Sequence, residues 1–321
     1  MGAPPTPFTP APRPRRSAPP GFTLVEILIT ISLLAFIIVG LFAVFNQVQR
    51  AFRSGMSQVD RLAAGRAVTE LLPRELEQIT PSGAPYPYGA NFYARTPNST
   101  PLVQSLPGTS IQRTNLLQDC FMLLRQNQTW VGIGYCVRVS DANGRLWWPE
   151  TENGSGQMGA GSLYRYAATL PVVYNTAGAP NNGLPQDPTQ MFRDFLKACG
   201  NGAAESVMIS NRICDGVTHF RFRAFNTNGM LITRPLRWAT DVLYSTTTPG
   251  EIGLYQFCSN AVPASLEMEF GILEQSAMDR YNSIGAAAAR LAYLQRPDIS
   301  SRVQIFRQRI PIRNVDPLAY Q

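Results

Sequence analysis

The chain of 321 residues is long enough for one large domain or two small ones, and only 15% of its residues are charged. With 26 prolines and 25 glycines, the composition favours a loop-rich domain that contains strands over a helical bundle. The formal net charge is +7, of which Arg13, Arg15 and Arg16 supply three; the remaining +4 is spread along the chain, too diffusely to indicate a nucleic acid as partner.

The first fifty residues have an unusual order of features. Residues 1–20 are basic and rich in proline, without apolar periodicity, and are predicted to be disordered. From Ile27 to Gln49 the chain has no charged side chain. A helix needs about 20 residues to cross a bilayer, so this stretch is long enough to do so. A secretory signal has a shorter apolar stretch with the small residue of its cleavage site after it. Here Gly21 precedes the apolar run, and one carboxylate, Glu26, lies at its start.

An amphipathic pattern continues the helix beyond the apolar run. Apolar residues recur every three or four positions, which is the spacing of one helix face. They are Val48, Phe52, Met56, Val59 and Leu62, followed by Val68, Leu72, Leu76 and Ile79. We therefore predict one helix from about Phe22 to Ile79, bent at Pro73 and ended by the turn-forming residues that follow Thr80.

The rest of the chain has the pattern of short strands and turns. Alternating apolar residues predict strands over 131–139, 220–224, 266–272 and 302–312, and Asn143-Gly144 predicts a hairpin turn after the first. We expect each strand to place its apolar face on the amphipathic helix and its charged face in solvent. Residues 81–115, 147–162 and 174–190 are predicted to be long loops, and Ser276–Leu294 a helix.

The five cysteines are Cys120, Cys136, Cys199, Cys214 and Cys258. Because none of them forms a CxxC pair, a zinc site or a thioredoxin-type site has little support. In an exported chain we expect two disulfides and one remaining thiol. Sequence alone does not fix the pairs, and Cys199–Cys214 is the first pair that we predict.

Candidate catalytic and ligand-binding residues are few. His219 is the only histidine, and we predict that it is a solvated residue on the polar face of a strand, because no nucleophile motif such as G-x-S-x-G accompanies it. Asp141, Asn143 and Asp215 offer a weak alternative, a calcium site, but no spaced cluster of carboxylates supports it. The sequence therefore predicts no enzyme activity, no cofactor and no metal.

The segment "GFTLVEILITISLLAFIIVGL" closely resembles the class III signal of type IV prepilins and type II secretion pseudopilins. The resemblance implies that prepilin peptidase, a membrane aspartyl protease, cuts between Gly21 and Phe22 and methylates the new amino terminus of Phe22. It also makes Glu26 the fifth residue of the mature chain. In that family this glutamate serves assembly, and we expect it to meet the charged amino terminus of Phe22 on a neighbouring subunit.

The resemblance also implies a domain organisation and a fold. Residues 1–21 are the leader, 22–46 the transmembrane half of the helix, 47–80 its amphipathic half, and 81–321 the β-rich globular domain. The expected class is α+β, with the long helix packed on an antiparallel sheet and large loop insertions. The later strand segments are similar to those of large minor pilins and of the J-type minor pseudopilin.

The expected function is that of a minor pilin or pseudopilin, a non-enzymatic subunit of a type IV pilus or a type II secretion pseudopilus, at the tip or in the initiating complex. It would be a single-pass inner-membrane protein with its globular domain in the periplasm. Its partners would be prepilin peptidase, other pilins, the inner-membrane assembly platform and membrane lipid. Two alternatives remain open: a pilin-borne binding module, such as an adhesin or a DNA-uptake receptor, and an enzyme domain on a pilin-like anchor.

Overall fold

The first element of the described chain is a single helix of 53 residues, α1 (Leu24–Leu76). The computed structural model describes residues 21, 23–87, 89–97, 100–127, 129–149, 156–171, 188–200, 202–204, 211–233, 242–245 and 253–315. The predicted long helix is confirmed, and Pro73 lies inside its last turn. The predictions for the leader and for Phe22 lie outside the described residues. The chain divides into two compact units, residues 1–55 and residues 56–321, and we call the second the globular unit.

The globular unit combines strands with short helices. The described strands are β1 (Phe92–Arg95), β2 (Leu102–Ser105), β3 (Gln112–Asn115), β4 (Asp119–Gln126), β5 (Thr129–Ser140), β6 (Arg145–Trp147), β7 (Gly161–Pro171), β8 (Ala203–Ala204), β9 (Asn211–Phe225), β10 (Val242–Ser245), β11 (Leu254–Phe257), β12 (Ser265–Leu273) and β13 (Val303–Pro311). The further helices are α2 (Thr189–Ala198), α3 (Gln275–Ser283), α4 (Ala287–Gln295) and α5 (Pro297–Ser300).

The main sheet is antiparallel at every named pairing. Its strand order is β10-β11-β1-β4-β5-β7-β9-β12-β13, with β6 paired to β5 and to β8, while β2 and β3 form a separate hairpin. Three neighbouring pairs in this order, β10-β11, β4-β5 and β12-β13, are also consecutive along the chain, and the other neighbours are joined by longer connections. The Asn143-Gly144 turn joins β5 to β6, with Ser140 opposite Leu146, as the sequence predicted. The α+β class with a helix packed on a sheet is confirmed.

One face of the sheet packs on the end of α1, and we call it the α1 face. Val68, Leu72, Leu76 and Ile79 are fully buried there, which confirms the second part of the predicted apolar stripe, whereas Val48, Phe52 and Met56 of its first part are exposed. Gly65 brings the helix close to the sheet, because a Cβ at this position would lie 2.1 Å from the ring of Phe306.

The other face, which we call the α2 face, has a core of its own. Met191, Phe192 and Phe195 of α2 are buried in it against apolar side chains of the central strands. The expectation that each predicted strand turns a charged face to solvent was therefore wrong for β5, and β4, a strand that was not predicted, is covered in the same way. Their apolar residues form continuous runs, which suit strands that are covered on both faces.

Two further predictions need correction. Residues 81–115 were predicted to be a loop, but they contain β1, β2 and β3. The predicted helix at Ser276–Leu294 is divided into α3 and α4, because the backbone is extended at Ile284 and Ala286, on either side of Gly285. Glycine adopts non-helical backbone conformations readily and has a low helix propensity, so a break in the helix at this position costs little free energy. Of the loop predicted at 174–190, residues 174–187 lie outside the described part, and α2 begins at Thr189.

Candidate functional site

The first turn of α1 is closed by a reciprocal pair of hydrogen bonds between Thr23 and Glu26. The Thr23 hydroxyl oxygen accepts from the Glu26 N–H at 3.3 Å. In return, Glu26 Oε2 accepts from the Thr23 N–H and from its hydroxyl, both at 3.1 Å. This arrangement is a capping box, which satisfies amide donors that have no partner within the helix. Glu26 therefore has a structural role within its own chain. This role was not predicted from the sequence, although the T-x-x-E spacing is typical of a capping box.

Gly21 is not required by the fold. Among the described residues a Cβ at this position would meet no atom within 4 Å, and its φ is not in the left-handed region. Glycines that a fold requires occupy a tight contact or a positive φ. The packing of the described residues therefore does not explain why this position is a glycine. Phe22, the residue after it, lies outside the described residues.

The helix from Leu24 to Phe52 is long and apolar enough to span a membrane, and none of it is buried in the structure. We call these 29 residues the apolar segment. Its hydroxyl groups are satisfied internally: Thr30 donates to the Glu26 carbonyl at 3.0 Å, and Ser32 to the Leu28 carbonyl at 2.8 Å. A helix whose polar groups are paired within it is suited to a lipid environment. The segment thus fits a membrane anchor.

The other end of α1 is joined to the sheet by a buried carboxylate. Glu75 accepts two hydrogen bonds from Arg165, at 2.7 and 3.1 Å, and a short one from the Tyr135 hydroxyl. Burial, reinforced by the Glu75 charge, raises the pKa of Tyr135, so that its hydroxyl stays protonated and donates. Because a buried charge without a partner is costly, these contacts fix the rotation and height of α1 on the sheet.

His219 is buried rather than solvated, which corrects the sequence prediction. Only 4% of its surface is exposed, although it lies on the strand face that also carries Arg221. Its Nδ1 accepts a hydrogen bond from the Leu116 N–H at 3.1 Å, which fixes the proton on Nε2, 3.2 Å from Glu269 Oε2. The segment that ends at Leu116 covers this part of the face, a long-range contact that strand periodicity cannot reveal.

The pKa values of this pair follow from its surroundings. Burial lowers the pKa of His219; the hydrogen bond to Glu269 and its charge oppose this shift without reversing it, and the nearby cations Arg221 and Arg113 act in the same direction as burial. The hydrogen bond from His219, with the charges of Arg223 and Arg221, lowers the pKa of Glu269 to about 2. His219 thus has a structural hydrogen-bonding role between β9, β12 and the chain before β4.

The residues considered for calcium have other partners. Asp141 caps the β5–β6 turn by accepting from the N–H groups of Asn143 and Arg145, at 2.8 and 2.9 Å. Asp215 pairs with Arg212 and accepts from Ser162 at 2.7 Å. Within the described residues no group of three or more His, Cys, Asp or Glu side chains could hold a metal ion.

A cleft of about 450 Å³ in the globular unit is lined in part by Asp215. Its wall also includes four aromatic and two cationic side chains: Trp147, Trp148, Tyr164, Tyr281, Arg212 and Arg290. Trp147 donates its indole N–H to Asp141 at 2.9 Å, which holds the ring at the cleft with 40% of its surface exposed. Aromatic faces together with charged groups are common in ligand sites, although they are equally compatible with packing between proteins.

The predicted disulfide Cys199–Cys214 was wrong. Cys199 belongs to the core of the α2 face and Cys214 to the core of the α1 face, so the sheet separates them. All five cysteines are free and buried, and the sulfur that approaches Cys199 is that of Cys136, at 3.0 Å.

Comparison with known families places one motif on this chain. A family model described as the prokaryotic N-terminal methylation motif matches residues 19–42. The match contains Gly21, Phe22 and Glu26 and much of the apolar segment, and it supports a pilin-like or pseudopilin subunit. Comparison with curated proteins and with solved structures gave no match.

Proposed function

We propose that the chain is a minor pilin or pseudopilin, a processed structural subunit of a type IV pilus or of a type II secretion pseudopilus. The observation that carries the proposal is the N-terminal methylation motif at residues 19–42, which overlaps an apolar segment that the described residues leave uncovered. A soluble protein would bury such a helix, whereas a filament subunit first keeps it in the membrane and then packs it among other subunits.

Processing would divide the chain after Gly21. Prepilin peptidase would remove residues 1–21 and methylate Phe22, and the mature protein would remain in the inner membrane with its globular unit in the periplasm. The open surroundings of Gly21 support this reading, because the glycine serves no packing purpose. Assembly would then proceed through contacts of the N-terminal helix with other pilins and with the inner-membrane platform. This role is structural and requires no enzyme activity of the chain.

Glu26 would have two roles in assembly. Its Oε2 accepts the capping hydrogen bonds of Thr23, while among the described residues Oε1 has no hydrogen-bond partner. The carboxylate can therefore cap its own helix and still meet the amino terminus of Phe22 on a neighbour. A pair of opposite charges is stronger among packed helices than in water.

A position at the tip or in the initiating complex suits the globular unit. It carries a second core on the α2 face and a separate β2–β3 hairpin, so it is bulky. Subunits of a shaft repeat in close packing, which disfavours large additions, whereas a tip subunit has no neighbour above it. Immunogold labelling tests this position: gold at filament ends supports it, and gold distributed evenly along filaments contradicts it.

Mass spectrometry of the membrane-bound protein tests processing. We expect a chain that begins with methylated Phe22 in cells that contain prepilin peptidase. Gly21→Val should leave the full leader in place, because a branched side chain at the cleavage site obstructs the protease. Gly40→Val is the matched control, since a Cβ at Gly40 also meets no atom within 4 Å, and it should be processed normally. An amino terminus other than Phe22 would refute the proposal.

A binding function is the second candidate, and the cleft is the observation that favours it. A pilin-borne binding module would use Trp147 and the cations at the cleft wall to hold a ligand. Trp147→Ala should then abolish attachment or uptake while filaments still form. If Trp147→Ala prevents filament formation instead, the cleft belongs to an interface between subunits.

A further inference from the structure

The two thiols of Cys136 and Cys199 meet inside the core of the α2 face. Their sulfur atoms are 3.0 Å apart, and the two residues are separated by 63 positions in the chain. A disulfide has a sulfur–sulfur bond of about 2.05 Å, so closing the bond requires a movement of about 1 Å. Side chains can make such a movement without a change of fold.

The backbone of Cys199 is held in place by a second, independent set of contacts. Its carbonyl accepts two hydrogen bonds from the Arg138 guanidinium, at 2.5 and 3.1 Å. Arg138 is itself fixed by Asp119, which it binds through both terminal nitrogens at 2.8 and 2.7 Å. Because Arg138 lies two residues after Cys136 on β5, both residues point to the same face of the sheet. The chain thus presents Cys199 to Cys136 before any bond forms.

The other three cysteines are not placed to compete. Cys120 and Cys214 belong to the core of the α1 face, on the opposite side of the sheet. The thiol of Cys258 donates to the Gly89 carbonyl at 3.0 Å. The structure therefore brings the sulfur of Cys136, and not that of Cys120 or Cys214, to Cys199.

We propose that Cys136 and Cys199 form a disulfide in the exported protein, which links α2 covalently to strand β5. In this reaction each thiol loses its proton and a bond forms between the two Sγ atoms. The two electrons pass to the disulfide of a thiol–disulfide oxidant, which is reduced to two thiols. The proposal rests on the proposed function, because the globular unit reaches an oxidising compartment only if it is exported.

The bond should form while the chain folds rather than afterwards. Burial raises the pKa of the Cys199 thiol well above its ordinary value, so the reactive thiolate is rare in the folded, reduced protein. We expect refolding protein to acquire the disulfide faster than folded, reduced protein that is exposed to the same oxidant.

Peptide mapping of the full chain, purified in detergent, tests the pairing directly. Free thiols are alkylated in denaturant before digestion without reductant. We expect a linked pair of peptides that contain Cys136 and Cys199, and alkylation of Cys120, Cys214 and Cys258. The same chain, reduced and refolded in a glutathione redox buffer, should give the same link. A different link, or five alkylated thiols after refolding, would overturn the pairing.

Export is measured separately, so that the two proposals can fail independently. Protease added to spheroplasts digests the globular unit only if that unit has crossed the inner membrane. If it is digested and the cellular protein still has five free thiols, the disulfide is refuted while the proposed function stands. If the unit is protected, the proposed function fails, and the refolding experiment alone decides the pairing.

Variants show whether the link has the structural effect that we expect. Dithiothreitol should lower the urea midpoint of unfolding of the wild-type chain. It should have no effect on the Cys136→Ala/Cys199→Ala double variant. Cys258→Ala is the matched control and should remain sensitive to the reductant, because it removes a buried thiol without removing the link. Equal insensitivity in all three proteins would contradict the proposal.

Discussion

At the scale of single residues, Glu26 has two roles that one substitution can separate. Glutamine keeps a side-chain acceptor at the position where the capping box needs one, but it has no charge. We expect Glu26→Gln and Glu26→Val both to fail in filament incorporation, because both lack the charge that would meet a neighbour's amino terminus. Incorporation is measured as the fraction of the protein in sheared filaments, with the membrane-inserted amount as control.

The opposite result is equally informative about this residue. If Glu26→Gln assembles normally and Glu26→Val does not, the capping hydrogen bonds with Thr23 account for the glutamate. Thr23→Ala should then impair assembly to a similar degree, since it removes the other half of the capping box. Normal assembly of both Glu26 variants would show that this subunit does not need the residue at all.

His219 gives the chain a predictable response to acid. Its pKa in the folded state is below the ordinary value of 6.5, so the folded protein binds this proton less readily than the unfolded one. The free energy of unfolding should therefore fall as the pH drops below about 6.5, by up to about 1.4 kcal/mol per pH unit. Glu269 has a folded pKa of about 2 against an ordinary 4.5, and it adds a second fall between those values.

Urea unfolding of the full chain in detergent, followed by tryptophan fluorescence from pH 8 to pH 3, measures both effects. Because His219 is the only histidine, His219→Gln should remove the fall between pH 7 and pH 5. A constant free energy of unfolding over that interval in the wild-type chain would contradict the lowered pKa of the buried His219.

At the scale of elements, the approach of α1 to β13 depends on a missing side chain. A Cβ at Gly65 would lie within 3 Å of three ring atoms of Phe306, so Gly65→Ala must displace the ring or the helix. We expect a loss of about 1–3 kcal/mol in the free energy of unfolding. Gly55→Ala is the matched control in the same helix. Its Cβ meets nothing within 4 Å, and it should stabilise the helix by up to about 1 kcal/mol.

A double variant tells whether the cost at Gly65 comes from this contact. Replacement of Phe306 by Leu removes the ring that the new methyl group would meet. Gly65→Ala should then cost clearly less in the Phe306→Leu background than in the wild type. Equal costs in the two backgrounds would mean that the methyl group disturbs something other than Phe306.

The elements also show which features the sequence could predict. The stripe Val68, Leu72, Leu76 and Ile79 was predictable because helix periodicity is local, and the β5–β6 hairpin because Asn-Gly selects its turn. The second core was not, because α2 covers β4 and β5 from a distant part of the chain. Once that cover is known, the burial of Cys136 and Arg138 follows from strand alternation.

At the candidate site, too, some features could be predicted from the local sequence, and others depend on long-range contacts. The order Gly21, Phe22 and Glu26 before an apolar run is contiguous, and it was readable from a resemblance to prepilins. The contacts of Glu75 with Tyr135 and Arg165 join residues 60 and 90 positions apart. Pairs at such separations depend on the strand order, which local patterns in one sequence do not determine.

At the scale of the whole molecule, α1 serves assembly with its exposed part and folding with its buried part. Phe52 and Met56 lie one turn apart on one face, and 68% and 54% of their surfaces are exposed. Leu72, further along the same helix, is fully buried. Substitutions in the exposed part should therefore mainly affect incorporation into filaments, and substitutions in the buried part should mainly affect the free energy of unfolding.

We expect Phe52→Gln/Met56→Gln to leave the free energy of unfolding within about 0.5 kcal/mol of the wild type, because exposed side chains contribute little to it. Its incorporation into filaments should fall by about tenfold or more, since burial of each side chain against a neighbour is worth about 1.5–3 kcal/mol. Leu72→Ala should instead lower the free energy of unfolding by about 2–5 kcal/mol through the cavity that it leaves. Urea unfolding in detergent and the protein content of sheared filaments measure the two quantities on the same preparations. Normal incorporation of the double glutamine variant would show that the exposed stripe is not a subunit contact, whatever the role of the apolar segment before it.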